Sequence, residues 1–322
     1  TAPDVEPNVF LAGGQAILRK RWADPNAGQR YLLFHGVAVA DNHNHDDQLS
    51  FLIEAEGQMM CSDGGYSRGT YEGAERTAWY NKAPAHNTLT FDGQPAGKNP
   101  SNVTPESQHW EQPGLVVVSK TTNDLPKKGT WRRTICWIGE DYYAVIDQVL
   151  AKNIGEIKAY LHGGRGTLTT SGGERTWNYS ADRYGPAAKL RSWIAAPGAT
   201  TVVKEGELTY IKGDYAAFPY LETTAQPGRS IITLLKPTAA NESAAFSVED
   251  RSTKDCSAFV ITTAGEKTVI AAPQSGSVKI DGVETDAPLV IVRRDSSGKV
   301  LNHFTADAGT YLRIDGHDFT RP

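Results

Sequence analysis

The sequence predicts an all-β protein, a large antiparallel β-sandwich of two or more stacked sheets. Three observations lead there. Apolar runs of four to eight residues, rich in Val, Ile, Thr and Tyr, recur along nearly the whole chain. The 31 glycines and 17 prolines are scattered, as many short strands joined by turns require. Asp-Gly pairs stand at 92–93, 281–282 and 315–316, a signature of tight hairpin corners.

In chain order, strands are expected at residues 9–11, 16–19, 31–34, 49–53, 115–118, 131–138, 142–149 and 157–162, then at 231–235, 258–262, 269–272 and 289–292. Residues 67–82 (SRGTYEGAERTAWYNK) lack a period of two. They read as a loop with at most one helical turn, and long loops of sandwiches often carry function. After about residue 240 the strands shorten and two of the Asp-Gly corners appear. The expected organisation is a sandwich over 1–240 and a smaller β subdomain over 241–322.

Charge and composition exclude several functions. With 33 Lys and Arg against 37 Asp and Glu, the net charge is −4 and no basic stripe stands out, so nucleic acid is not an expected partner. An anionic polysaccharide remains compatible, because steering follows the local field and not the total. No apolar run is long enough for a membrane-spanning helix. The start, Thr1-Ala2-Pro3-Asp4, is compatible with a removed signal peptide or with a cut inside a longer chain. The cysteines, Cys61, Cys136 and Cys256, are odd in number and include no CxxC, so one disulfide at most is expected. No phosphate loop, nucleophile elbow or HExxH motif occurs.

Chemistry concentrates between residues 43 and 87. Only eight histidines occur, and two fall in Asn42-His43-Asn44-His45-Asp46-Asp47. If the backbone there is extended, His43 and His45 share one face. Ser62-Asp63-Gly64-Gly65 follows eighteen residues after His45, and Ala85-His86-Asn87-Thr88 twenty-three residues after Asp63. Three adjacent strands would gather His45, Asp63 and His86 at one point. Two imidazoles and a carboxylate suit zinc, with one coordination position left over. Taken singly, Asp63 reads as a turn residue and His86 as the start of a strand. Asp46 and Asp47 read as partners that orient the histidines.

The set resembles the heparinase II/III-like domain of polysaccharide lyases. The motif runs from His43-Asn44-His45-Asp46-Asp47 into Gln48-Leu49-Ser50-Phe51. It continues with Asp63-Gly64-Gly65-Tyr66, a loop with Tyr and Arg76, and His86-Asn87-Thr88. The specific likeness covers residues 43–93. It implies a helical toroid followed by a β-sandwich, and β-elimination on a uronic acid unit. It further implies that His43 faces substrate while His45, Asp63 and His86 hold a largely structural zinc or other divalent cation. In this family the catalytic Tyr comes from the toroid, and no toroid is visible here.

The chemistry requires a neutralised uronate carboxylate, a base for the C5 proton and an acid for the leaving O4. Arg76 suits a carboxylate. Tyr66, Tyr71, Trp79 and His162 are further candidates for substrate contact, each also readable as packing. The resemblance places such an enzyme in the bacterial periplasm or outside the cell. A carbohydrate-binding domain with a structural metal and no catalysis of its own is the alternative.

Overall fold

The structure is a computed structural model and describes residues 8–20, 28–36, 44–68, 73–74, 76–99, 108–151, 153–209, 214–306 and 309–319. The first strands are β1 (Asn8–Phe10), β2 (Ala16–Lys20), β3 (Arg30–His35), β4 (Ser50–Ala55), β5 (Gln58–Cys61), β6 (Leu89–Phe91) and β7 (Gln94–Pro95). Long strands follow in β8 (Gln108–Gln112), β9 (Leu115–Thr122), β10 (Gly129–Ile138), β11 (Tyr142–Ala151) and β12 (Ile157–His162). Next come β13 (Thr167–Ser171), β14 (Glu174–Tyr179), β15 (Ala188–Ala195), β16 (Thr200–Thr209), β17 (Tyr215–Ala225) and β18 (Ile231–Ala239). The last are β19 (Phe246–Asp250), β20 (Cys256–Thr263), β21 (Glu266–Pro273), β22 (Val278–Ile280), β23 (Val283–Thr285), β24 (Leu289–Asp295), β25 (Val300–Ala306), β26 (Leu312–Ile314) and β27 (His317–Asp318). Every run expected to be extended coincides with one of these strands, except that Leu11 falls just after β1 and Leu49 turns just before β4, and the fold is the expected stack of antiparallel sheets.

The strands form sheets in the orders β1-β2-β3-β4-β5, β16-β17-β12-β6-β7, β13-β14-β15-β18-β11-β10-β9-β8, β19-β20-β21-β24-β25 and β22-β23-β26-β27. The side chains show why they stack. In β11, Tyr143 and Val145 point into a core shared with the first two sheets, which includes Leu32, Phe51, Phe91 and Leu161. Tyr142, Ala144 and Ile146 point the other way, into a core with Phe259, Ile261, Ile270 and Ile291. Beyond it, Val260, Val269, Val290 and Val292 meet Val283, Leu312 and Ile314 of the outermost sheet. Strands buried on both faces need apolar residues at successive positions, which is why residues 142–146 and 289–292 read as continuous apolar runs and not as alternation. Trp131 and Trp177 are wholly buried in the first core. Truncating either to Ala would cost about 3–5 kcal/mol.

The three Asp-Gly pairs expected to be corners, 92–93, 281–282 and 315–316, close the hairpins β6–β7, β22–β23 and β26–β27. Each Asp has φ near +50° and each Gly a larger positive φ, the left-handed pair that matches a two-residue turn to the twist of its strands. Among the described residues of 67–82 there is one π-helical turn, Arg76–Tyr80, followed by a short 3-10 turn, Ala83–Ala85. Cys61, Cys136 and Cys256 are buried free thiols. Among the described residues no helix is long and apolar enough to cross a membrane.

Candidate metal centre

His45, Asp63 and His86 do converge: one ligand atom from each lies within 4.8 Å of the other two. The route differs from the expected one. His45 lies in irregular chain before β4, and Asp63 lies just past the end of β5. His86 does not open a strand. It caps the 3-10 turn, and β6 begins only at Leu89. Moreover β6 belongs to another sheet than β4 and β5. The donors therefore come from connecting segments beside strands of two different sheets, not from three neighbouring strands. Pro84 in the 3-10 turn explains the late strand, since it favours the compact turn and offers no ladder N–H.

Local hydrogen bonds hold each donor. The Asp46 N–H donates to the Asn81 carbonyl, and the Asp46 carboxylate pairs with Lys98 and Lys82, which anchors the segment carrying His45. Lys98 also donates to the Asn44 carbonyl, and the Thr88 hydroxyl to that of Gln48. Asp63 accepts from the Gly65 N–H in a tight turn. Gly65 has φ +79°, and a Cβ there would sit 2.2 Å from the Thr209 carbonyl oxygen, so only glycine fits. Asn87 ties β4, β12 and the residue following β5 together. Its amide donates to the Phe51 and Ser62 carbonyls and its oxygen accepts the His162 N–H.

The electrostatics fit a cation. Burial alone would raise the Asp63 carboxyl, but the His86 charge and hydrogen bond, the Gly65 N–H and the His45 ring together pull it down to about 2. Burial pushes His45 down, as does the neighbouring His86, so its ring is kept neutral and ready to donate a lone pair. For His86 burial works downward, and the charge and hydrogen bond of Asp63 overcome it and raise the ring. Its Nδ1 lies 2.5 Å from Asp63 Oδ2, while its Nε2 is buried without a hydrogen-bond partner. Gln48, 1% exposed, has neither amide atom partnered, and Asp47 Oδ1, Ser62 Oγ and Asn81 Oδ1 are in the same condition. Such orphaned polar groups are costly unless something polar meets them. Two imidazoles and one deeply ionised carboxylate, with a buried ring nitrogen of His86 left without a hydrogen-bond partner, fit a divalent ion of the zinc type.

The other candidates are placed less uniformly. His43 and Tyr71 lie outside the described residues. Tyr66 is 82% exposed beside Gly65. Arg76 opens the π-helical turn, half-buried, close enough for its charge to act on His45. Trp79 is half-buried and donates its indole N–H to the Glu207 carbonyl. A Cβ on Gly206 would sit 2.2 Å from the Trp79 ring, so the indole is packed onto bare backbone. His162 is 2% exposed, lies 2.8 Å from the Pro84 carbonyl through Nε2, and stacks on Tyr220 with centroids 4.7 Å apart. It faces the interior and props the turn before His86. Sequence reasoning missed Gln48 and the bracing role of Asn87, although both stand inside the motif.

Comparison with known proteins decides the family. The profile of the family described as heparinase II/III-like, C-terminal, matches residues 2–249. The chain belongs to the heparinase II/III-like family. A heparin-sulfate lyase of Bacteroides stercoris is 22% identical over 205 residues, which cover 63% of this chain and 29% of the relative. Among solved structures, a heparinase III aligns with TM-score 0.67 at 14% identity, covering 84% of this chain and 43% of that one. The heparan sulfate lyase HepC of Pedobacter heparinus aligns with TM-score 0.66 at 16% identity, covering 87% and 44%. The likeness to these structures is one of fold, and the chain spans less than half their length.

Proposed function

We propose that this chain is the metal-holding β-sandwich of a polysaccharide lyase that cleaves a uronic-acid-containing polymer by β-elimination. The carrying observation is the convergence of His45, Asp63 and His86 two residues from His43. In this reading the three donors hold a zinc-type ion, whose positive charge fixes the loops around the substrate. His43 meets the uronate, either neutralising its carboxylate or taking the C5 proton, since an imidazole titrates near neutrality. Arg76 supplies a guanidinium for the carboxylate, and Tyr66 an exposed phenol for the sugar. The acid for the leaving O4 and the rest of the cleft belong to a helical domain of the same or a companion chain. Periplasmic or secreted residence fits such a substrate.

His43→Ala in the longer enzyme tests this. Formation of ultraviolet-absorbing unsaturated ends from heparan sulfate, hyaluronate or alginate should fall by two orders of magnitude or more, with metal content unchanged. Undiminished cleavage would refute it.

The second reading, a carbohydrate-binding domain with a structural metal, draws on the chain spanning less than half of its structural relatives. Under it, the longer enzyme lacking His43 keeps its activity, and this chain alone retains polymer on an affinity gel.

A further inference from the structure

A buried ion pair lies behind the donor cluster. Arg133 in β10 and Asp147 in β11 face each other across the strand pair, 2% and 3% exposed at their side chains. Arg133 Nε and Nη2 donate to the two Asp147 oxygens at 2.8 and 2.9 Å, a bidentate fork. The Trp131 indole N–H donates to the same carboxylate at 2.8 Å. The remaining guanidinium nitrogen, Nη1, leaves this sheet. It donates to the Leu49 carbonyl at 2.7 Å and the Asn87 carbonyl at 2.6 Å.

Those two carbonyls belong to the segments that carry the donors. Leu49 follows His45 by four residues and Asn87 follows His86 directly. Leu49 has φ +54°, a left-handed conformation unfavourable for leucine. Its carbonyl is thereby turned to where Arg133 receives it. Asn87 passes the constraint on, because its side-chain amide holds the Ser62 carbonyl, next to Asp63. One buried cation thus braces all three donor-bearing segments. A hydrophobic pair would fill this volume at less desolvation cost, so the charge is explained by what it orients and not by stability alone.

We propose that Arg133, fixed by Asp147, is the positioning residue of the donor cluster, setting the spacing of the His45, Asp63 and His86 segments. The link to metal affinity rests on the metal reading above, whereas the positioning of the rings does not.

The test uses the full chain. Cobalt(II) is titrated into metal-free protein, its visible bands reporting coordination geometry, and the ring signals of His45 and His86 are followed by NMR in the metal-free state. Arg133→Lys keeps the charge but cannot serve both Asp147 oxygens and both carbonyls. It should weaken cobalt binding about tenfold, alter the bands and shift both ring signals. Trp131→Phe, a milder change for the case that Arg133→Lys does not fold, should do the same to a lesser degree. Lys236→Met removes another buried cation, paired with the more exposed carboxylates of Asp141 and Glu242, and serves as the control. It should lower Tm and leave the rings and the bands as they were. Ring signals unmoved by Arg133→Lys, or moved as much by Lys236→Met, would overturn the proposal. A wild-type chain that takes up no cobalt sinks the metal reading alone, and the ring signals then decide the positioning role.

Discussion

His86 and Asp63 form a close pair, Nδ1 to Oδ2 at 2.5 Å, in which the far nitrogen of the same ring is buried without a partner. A carboxylate pulled down to about 2 beside a fully buried ring concentrates negative charge where His45 also points. Much of what can be tested follows from that pair.

Added zinc should raise the thermal stability of chelator-treated protein. A ligand present at a hundredfold its Kd stabilises by about 2.7 kcal/mol, which scanning calorimetry resolves easily. His86→Ala should abolish the zinc-dependent rise and also lower Tm without zinc, because Asp63 loses its partner. A zinc response that survives in His86→Ala would place the ion elsewhere.

Stability should fall on mild acidification, through His162. Burial pushes its ring down to about 4, against an unfolded value near 6.5. Between these values the unfolded chain binds the extra proton, so stability rises with pH across that window and is lost as pH falls through it. The full effect is about 3 kcal/mol at one pKa unit per 1.36 kcal/mol. His162→Gln, whose amide still reaches the Pro84 carbonyl, should flatten the slope of urea-denaturation free energy between pH 6.5 and 4. An unchanged slope would mean that His162 is not held neutral.

How much of this was legible in the sequence differs by level. The stacked sheets were, because short runs rich in Val, Ile, Thr and Tyr and Asp-Gly corners are local signals that the packing does not override. The donor set was legible as residue types at fixed spacing. Its construction was not. The 3-10 turn before His86 leaves only Pro84 as a local trace, and the placement of β6 in a second sheet leaves none, since it is settled by long-range pairing with β12. The brace of Arg133 was half visible. Strand parity puts it on the same face as buried Trp131, which an unpaired arginine would not tolerate, but the partner Asp147 lies fourteen residues away. The burial of His162 was open, as a histidine ending a strand reads equally well as cleft or core.

Gly163→Ala should destabilise the protein by about 1–3 kcal/mol, the usual cost of overpacking. A Cβ at this position would lie 2.1 Å from the ring of Trp177, which is wholly buried and donates its N–H to the Pro219 carbonyl. Gly173→Ala, where a Cβ meets nothing within 4 Å, should stay within about 0.5 kcal/mol of the wild type. Urea denaturation separates the two, and equal values would contradict the packing described.

Tyr66→Phe should leave Tm unchanged, since the side chain is 82% exposed. In the longer enzyme it should raise KM for the polymer with less effect on kcat if the phenol binds sugar. A large loss of kcat at unchanged KM would instead make Tyr66 a proton donor.

The most direct measurement is metal analysis of the protein purified without chelators, alongside His45→Ala, Asp63→Ala and His43→Ala. The account predicts about one divalent ion per chain in the wild type and in His43→Ala, with substoichiometric metal in the other two. Absence of a divalent ion from the wild type, or its retention when His45 and Asp63 are removed, would contradict it.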